Sequence, residues 1–180
     1  MYATVYSGDP ATALDQQQMM QPGTIVAVPD DDYGWTLWKY VQFVAEATNT
    51  ALATHQPLYY DDVAHTQVTG VMAEALSNSV NHSAGFYQGP AVTAANIVGV
   101  EGRYMFIQVG GKGLVLMNND DDADVGMSII GVTGGVCNTV PVDDATTGLS
   151  TILGWVLVAV DAASNYCWAW ITIEMNGGGP

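Results

Sequence analysis

Between residues 98 and 173 the chain breaks into short apolar runs separated by glycine, asparagine and aspartate. The runs are Arg103-Tyr104-Met105-Phe106-Ile107-Gln108-Val109, Leu114-Val115-Leu116-Met117, Met127-Ser128-Ile129-Ile130, the stretch 152–160, and Cys167-Trp168-Ala169-Trp170-Ile171-Thr172-Ile173. None is long enough for a buried helix. All are rich in β-branched or aromatic residues, which suit a pleated, half-buried surface. Runs of this length bounded by turn residues predict strands of a sandwich or barrel. The expected fold is therefore mainly β: an antiparallel β-sandwich or barrel of short strands, with one or two short helices and an extended N-terminal arm.

The upstream half extends this reading. Thr24-Ile25-Val26-Ala27-Val28 predicts a strand, Asp30-Asp31-Asp32-Tyr33-Gly34 a turn, and 35–44 a second strand. Trp35, Leu37, Val41 and Phe43 recur on one face of that strand at period two, with Lys39 as the exception, and Trp38 falls on the other face. Residues 46–53 are alanine-rich and read as a short helix. Pro57-Leu58-Tyr59-Tyr60 reads as a strand ended by Asp61-Asp62. Within 63–81, Val71-Met72-Ala73-Glu74-Ala75-Leu76 fits a helix or a bulged strand, and both stay open. Residues 1–23, with Gly8-Asp9-Pro10 and the glutamine run 16–18, lack a core-facing period and are expected to form an arm. Residues 24–176 form one expected β-rich domain, and 177–180 a glycine-rich tail. An arm and tail of this composition order by resting on a neighbour.

Charge narrows the partners. The 180 residues carry three Lys plus Arg against 18 Asp plus Glu, a formal net charge of -15. Phosphate binding needs clustered basic side chains, so neither nucleic acid nor an anionic membrane is an expected partner. The N-terminus has no basic segment followed by an apolar one, so no signal peptide is expected, and synthesis in a cytoplasm follows. Cys137 and Cys167 are then expected free and buried, although spacing alone leaves a bridge between them open.

Tests for chemistry remove most site readings. Asp120-Asp121-Asp122-Ala123-Asp124-Val125-Gly126 resembles the start of a calcium loop. Counted from Asp120, however, Val125 stands where the sharp turn needs glycine and Gly131 where the loop needs glutamate. A solvated turn is the expectation, since Asp and Asn bond their own backbone; Asp120, Asp122 and Asp124 remain the calcium candidates. Gly126-Met127-Ser128-Ile129-Ile130 lacks the second glycine of a nucleophile elbow. Gly110-Gly111-Lys112-Gly113 lacks the pattern of a phosphate loop and is expected to be a hairpin turn. His55, His65 and His82 form no local ligand pair. No cofactor and no catalytic residue is expected, although a pair of converging carboxylates on a β-scaffold hydrolase stays open. Trp168 and Trp170 alternate on one face of a strand, either filling a core or presenting an interface. The residues expected at a partner interface are Met1, Tyr2, Tyr6, Met19, Met20, Trp35 and Trp38.

The order of segments resembles a group of phage virion proteins, the capsid decoration or cement proteins. The matching pieces are Pro22-Gly23-Thr24, the acidic turn 30–34, Trp38-Lys39-Tyr40-Val41, Pro57-Leu58-Tyr59-Tyr60-Asp61, Ile97-Val98-Gly99-Val100, the stretch 103–111, Ile152-Leu153-Gly154-Trp155-Val156-Leu157 and the stretch 167–173. They cover about half of the chain; the acidic excess and the Gly-Gly-Gly-Pro end lie outside them. The resemblance implies a head-stabilising protein on the virion's capsid surface, with the major capsid protein as partner and a homo-oligomer, a trimer favoured. Two other classes stay open: a tail or adhesin module binding carbohydrate through Trp and Asp groups, and the hydrolase.

Overall fold

The computed structural model describes residues 4–5, 9–12, 14–15, 17–30, 32, 34–44, 51–70, 83–93, 102–118, 123–132, 136–140, 152–159 and 165–173. Twelve strands lie among them. They are β1 (Thr4–Val5), β2 (Leu14–Asp15), β3 (Ile25–Asp30), β4 (Gly34–Phe43), β5 (Pro57–Tyr60), β6 (Gln67–Thr69), β7 (Ser83–Phe86), β8 (Tyr104–Leu116), β9 (Ser128–Val132), β10 (Val136–Val140), β11 (Ile152–Val156) and β12 (Tyr166–Thr172). The fold is mainly β, as expected. The helical element among these residues is a single 3₁₀ turn, Pro10–Thr12. Of the helix expected over 46–53, residues 51–53 are described and are not helical: Leu52 forms an antiparallel bridge with Val92, whose backbone satisfies its N–H and C=O. Residues 46–50 and the helix or bulged strand expected at 71–76 lie outside the described residues.

Five strands close into a ring. β4 pairs with β6, β6 with β5, β5 with β7, β7 with β8, and β8 returns to β4. Closure leaves no free edge within the ring. A second sheet continues from the same β8 in the order β8-β12-β11-β9-β10. Most pairings are antiparallel; β1–β3 and β4–β6 are parallel.

β8 joins the two halves, and here the structure corrects the sequence reading. Gly110-Gly111-Lys112-Gly113 is not a hairpin turn but the middle of a 13-residue strand. Tyr104 to Gly110 pair with β4, with a register shift at Leu37/Trp38, and Gly110 to Leu116 pair with β12. The glycines mark the corner at which the strand leaves the barrel for the outer sheet. Gly111 has φ +89°, a left-handed backbone that glycine adopts without strain.

Alternation decides what each strand buries. Val41 and Phe43 of β4, Leu58 and Tyr60 of β5, and Met105, Ile107 and Val109 of β8 belong to the main core. That core continues without a break to Cys167, Ala169 and Ile171 of β12. The opposite sides of β4 and β8 carry Trp38, Tyr40 and Phe106, which form a smaller cluster with Val26. Lys39, the exception to the apolar period, is half-buried; its Nζ donates to Tyr60 Oη at 2.7 Å and lies 4.6 Å from the centre of that ring. Burial lowers its pKa, and the Asp62 carboxylate opposes that shift.

The arm lies along the body. β1 pairs with β3 and β2 with β8. Tyr40 Oη donates to Asp15 Oδ2 at 2.9 Å and accepts from Met19 N at 3.1 Å. The aspartate turns expected at Asp30 and Asp62 form. Asp30 Oδ1 accepts from Asp32 N, and Asp62 accepts from Thr66 N, Thr66 Oγ1 and Gln67 N.

Candidate interaction surface

The outer face of β12 is aromatic. Cys167, Ala169 and Ile171 point into the core, so the intervening Tyr166, Trp168 and Trp170 point out, 43%, 41% and 38% exposed. Neither tryptophan of β12 fills the core. Register extends the face sideways: Trp155 of β11 sits opposite Trp170, and Lys112, Leu114 and Leu116 of β8 sit opposite Trp170, Trp168 and Tyr166. Lys112 Nζ lies 4.4 Å from the centre of the Trp168 ring, a cation–π contact that steadies the indole.

Trp35 extends the surface across the β8 corner. It is 53% exposed and, with Trp170, lines a hollow of about 260 Å³ to which Gly110 and Gly111 contribute. Two large indoles thus stand over a stretch of backbone that carries no side chains.

The electrostatics of this region differ from those of the chain as a whole. β8, β9, β10, β11 and β12 contain no Asp or Glu, although the chain has 18. A face that is to be desolvated cannot carry unpaired carboxylates without a large cost. Among the described residues the acidic side chains sit elsewhere: Asp15 in β2, Asp30 at the end of β3, and Asp9, Asp32, Asp61, Asp62 and Asp124 in loops and turns.

The expected contact residues divide. Met19 is 73% exposed, and Trp35 is exposed. Met20 packs against the Val26 cluster. Trp38 is buried, with Nε1 donating to Thr36 Oγ1 at 2.8 Å. Met1, Tyr2 and Tyr6 lie outside the described residues. Trp155, Tyr166, Trp168 and Trp170 were not among the expected contacts. The signal for three of them is the strict alternation of large aromatic with Cys, Ala and Ile along 166–171.

Of the calcium candidates, only Asp124 is described. Asp120 and Asp122 lie outside the described residues. Asp124 is exposed and opens a turn, with Met127 N donating to its carbonyl at 3.1 Å. Among the described residues, no group of three or more His, Cys, Asp or Glu side chains could hold a metal ion. His55 and His65 occupy turns with φ of 65° and 56°; His82 lies outside the described residues. Cys137 and Cys167 are free and buried.

No protein-family model matches the chain, and no curated protein matches it in sequence. Among solved structures it is similar to the head fiber gp8.5 N base in bacteriophage phi29. The identity is 14%, the match covers 75% of this chain and 94% of that one, and the TM-score is 0.44.

Proposed function

We propose that the chain is a structural protein of a phage head, seated on the outside of the capsid, where it reinforces contacts between major capsid subunits as a homo-oligomer, a trimer favoured. The observation that carries this reading is the aromatic face of β11 and β12 with Trp35. Large exposed apolar patches on a soluble protein mark surfaces that another protein covers. Trp and Tyr are also the residues that dominate binding energy when a partner buries them. The absence of carboxylates from the five strands of that sheet suits the same use. The capsid as partner comes from the resemblance of the segment order to decoration proteins.

The work assigned to the protein is to supply surface. Each indole withdrawn from water stabilises a contact by about 1.5–3 kcal/mol before ordering costs. Several such contacts repeated over a symmetric shell add up to mechanical strength. The test is a thermal melt of phage heads lacking this protein, with and without the purified chain added back. A rise in melting temperature that saturates with added chain supports the proposal; an unchanged melt at saturating protein contradicts it.

A further inference from the structure

We infer that a second site, distinct from the Trp35–Trp170 hollow, binds a neutral saccharide. It is a groove of about 630 Å³ where the arm crosses the barrel, lined by Pro10, Val28, His55, Gln108, Leu114 and Trp168 among others. Its size falls in the range of small-ligand sites, which are mostly apolar with a few placed polar groups.

The polar groups are placed by the fold. Gln108 is 2% exposed, and its Nε2 donates to Gly110 O and to Lys112 O, at 3.3 and 2.8 Å. Those two bonds fix which end of the amide is which. Oε1 accepts no hydrogen bond, and a Cβ on Gly113, which also lines the groove, would collide with it. Glycine at 113 therefore leaves that oxygen open to the groove. A ligand hydroxyl donates to such an oxygen without displacing a protein donor.

His55 is oriented in the same way. Gln88 Nε2 donates to Leu114 O at 2.9 Å, so Gln88 Oε1 is the end that faces His55 Nδ1. In the neutral ring Nδ1 carries the proton and Nε2 is a second acceptor. Tyr166 meets the imidazole edge-on at 5.3 Å and holds its plane. The groove thus offers an open amide oxygen and an imidazole held by Gln88 and Tyr166, beside a half-exposed indole.

That combination selects the ligand class. A sugar ring has an apolar face of C–H groups that packs on indole and a rim of hydroxyls that donate to fixed acceptors. Asp9, Asp30 and Lys112 also line the groove; two carboxylates against one ammonium, in a chain of net charge -15, disfavour acidic sugars.

The test is titration of the purified full chain with neutral glucose and N-acetylglucosamine oligomers of two to six units, followed by calorimetry and tryptophan fluorescence. Saturable binding by one series is expected. It should weaken at least tenfold in Trp168→Ala, recover in part in Trp168→Phe, and stay unchanged in Trp155→Ala, which lies outside the groove. All variants are checked for the wild-type melting temperature, and Trp168→Phe keeps the test valid if the alanine variant is unstable. No saturable binding by any oligomer, or binding undiminished by loss of the Trp168 indole, overturns the site. Trp168 also belongs to the aromatic face, so capsid reinforcement is read separately, from the melt of heads.

Discussion

The carbonyl oxygen of Trp35 lies 2.7 Å from where a Cβ on Gly111 would sit. β4 and β8 approach this closely because β8 turns there from one sheet to the other. Gly111 is therefore required twice, by its φ of +89° and by the space above it. Gly111→Ala should destabilise the fold by about 2–4 kcal/mol, the sum of left-handed strain and a backbone collision. Gly126 separates the two effects, since its φ is +88° with nothing within 4 Å of an added Cβ. Gly126→Ala should cost only the strain, about 1 kcal/mol. Denaturant melts of both variants check this; equal losses would contradict the close-approach account.

The arm should prove dispensable to the barrel but not to the smaller cluster. None of the five ring strands comes from residues 1–20. Their deletion nevertheless removes Asp15 and Met19 from Tyr40, and Ala11 and Met20 from the cluster with Phe106. The truncated chain is expected to fold, with stability lower by about 2–4 kcal/mol and weaker assembly. Circular dichroism and light scattering check it, and a truncated chain that fails to fold would contradict it.

Much of this architecture was legible from local signals, and the rest depended on residues distant in sequence. Pro57–Tyr60 and the aspartate turns at Asp30 and Asp62 announce themselves, because a short apolar run bounded by turn residues and Asx bonding are properties of neighbours. The Gly110–Gly113 stretch did not. A hairpin and a strand corner ask for the same glycines, and only the approach of Trp35 distinguishes them. β7 reads Ser-Ala-Gly-Phe and β6 Gln-Val-Thr, too small or too polar to register as strands; their pairing inside the closed ring makes them so. The outward turn of Trp168 and Trp170 was half legible. Alternation put them on one face, but which face is buried follows from where β8 leaves the barrel.

Both thiols should be silent in the folded protein. Burial pushes Cys167 up to about 11 and Cys137 higher still, and the thiolate is the reactive form. A thiol reagent at neutral pH is expected to label neither in the native state and both after denaturation. Labelling of the native chain, or fewer than two thiols in the denatured one, would contradict the burial of two free cysteines.

Asp62 should make the fold sensitive to acid. Burial raises its pKa, but bonds from the Thr66 side chain and from the Gln67 and Thr66 backbone, with His65 nearby, outweigh burial and leave it lowered. Its contribution is then present in full above the ordinary carboxylate value of about 3.9, and is lost as pH falls through the lowered folded value. Asp62→Asn should lower stability at neutral pH by about 1 kcal/mol, discounted for partial exposure, and flatten the acid limb of the stability curve. Parallel limbs for the two proteins would contradict this role.

The central claim is that the aromatic face docks on a phage head, and co-sedimentation with heads stripped of this protein tests it most directly. Wild-type protein is expected to pellet with the heads. The Trp155→Ala/Trp170→Ala double variant, shown to be folded by its melt, should stay in the supernatant. A wild-type chain that remains soluble beside the heads, or a double variant that pellets equally well, would contradict the claim.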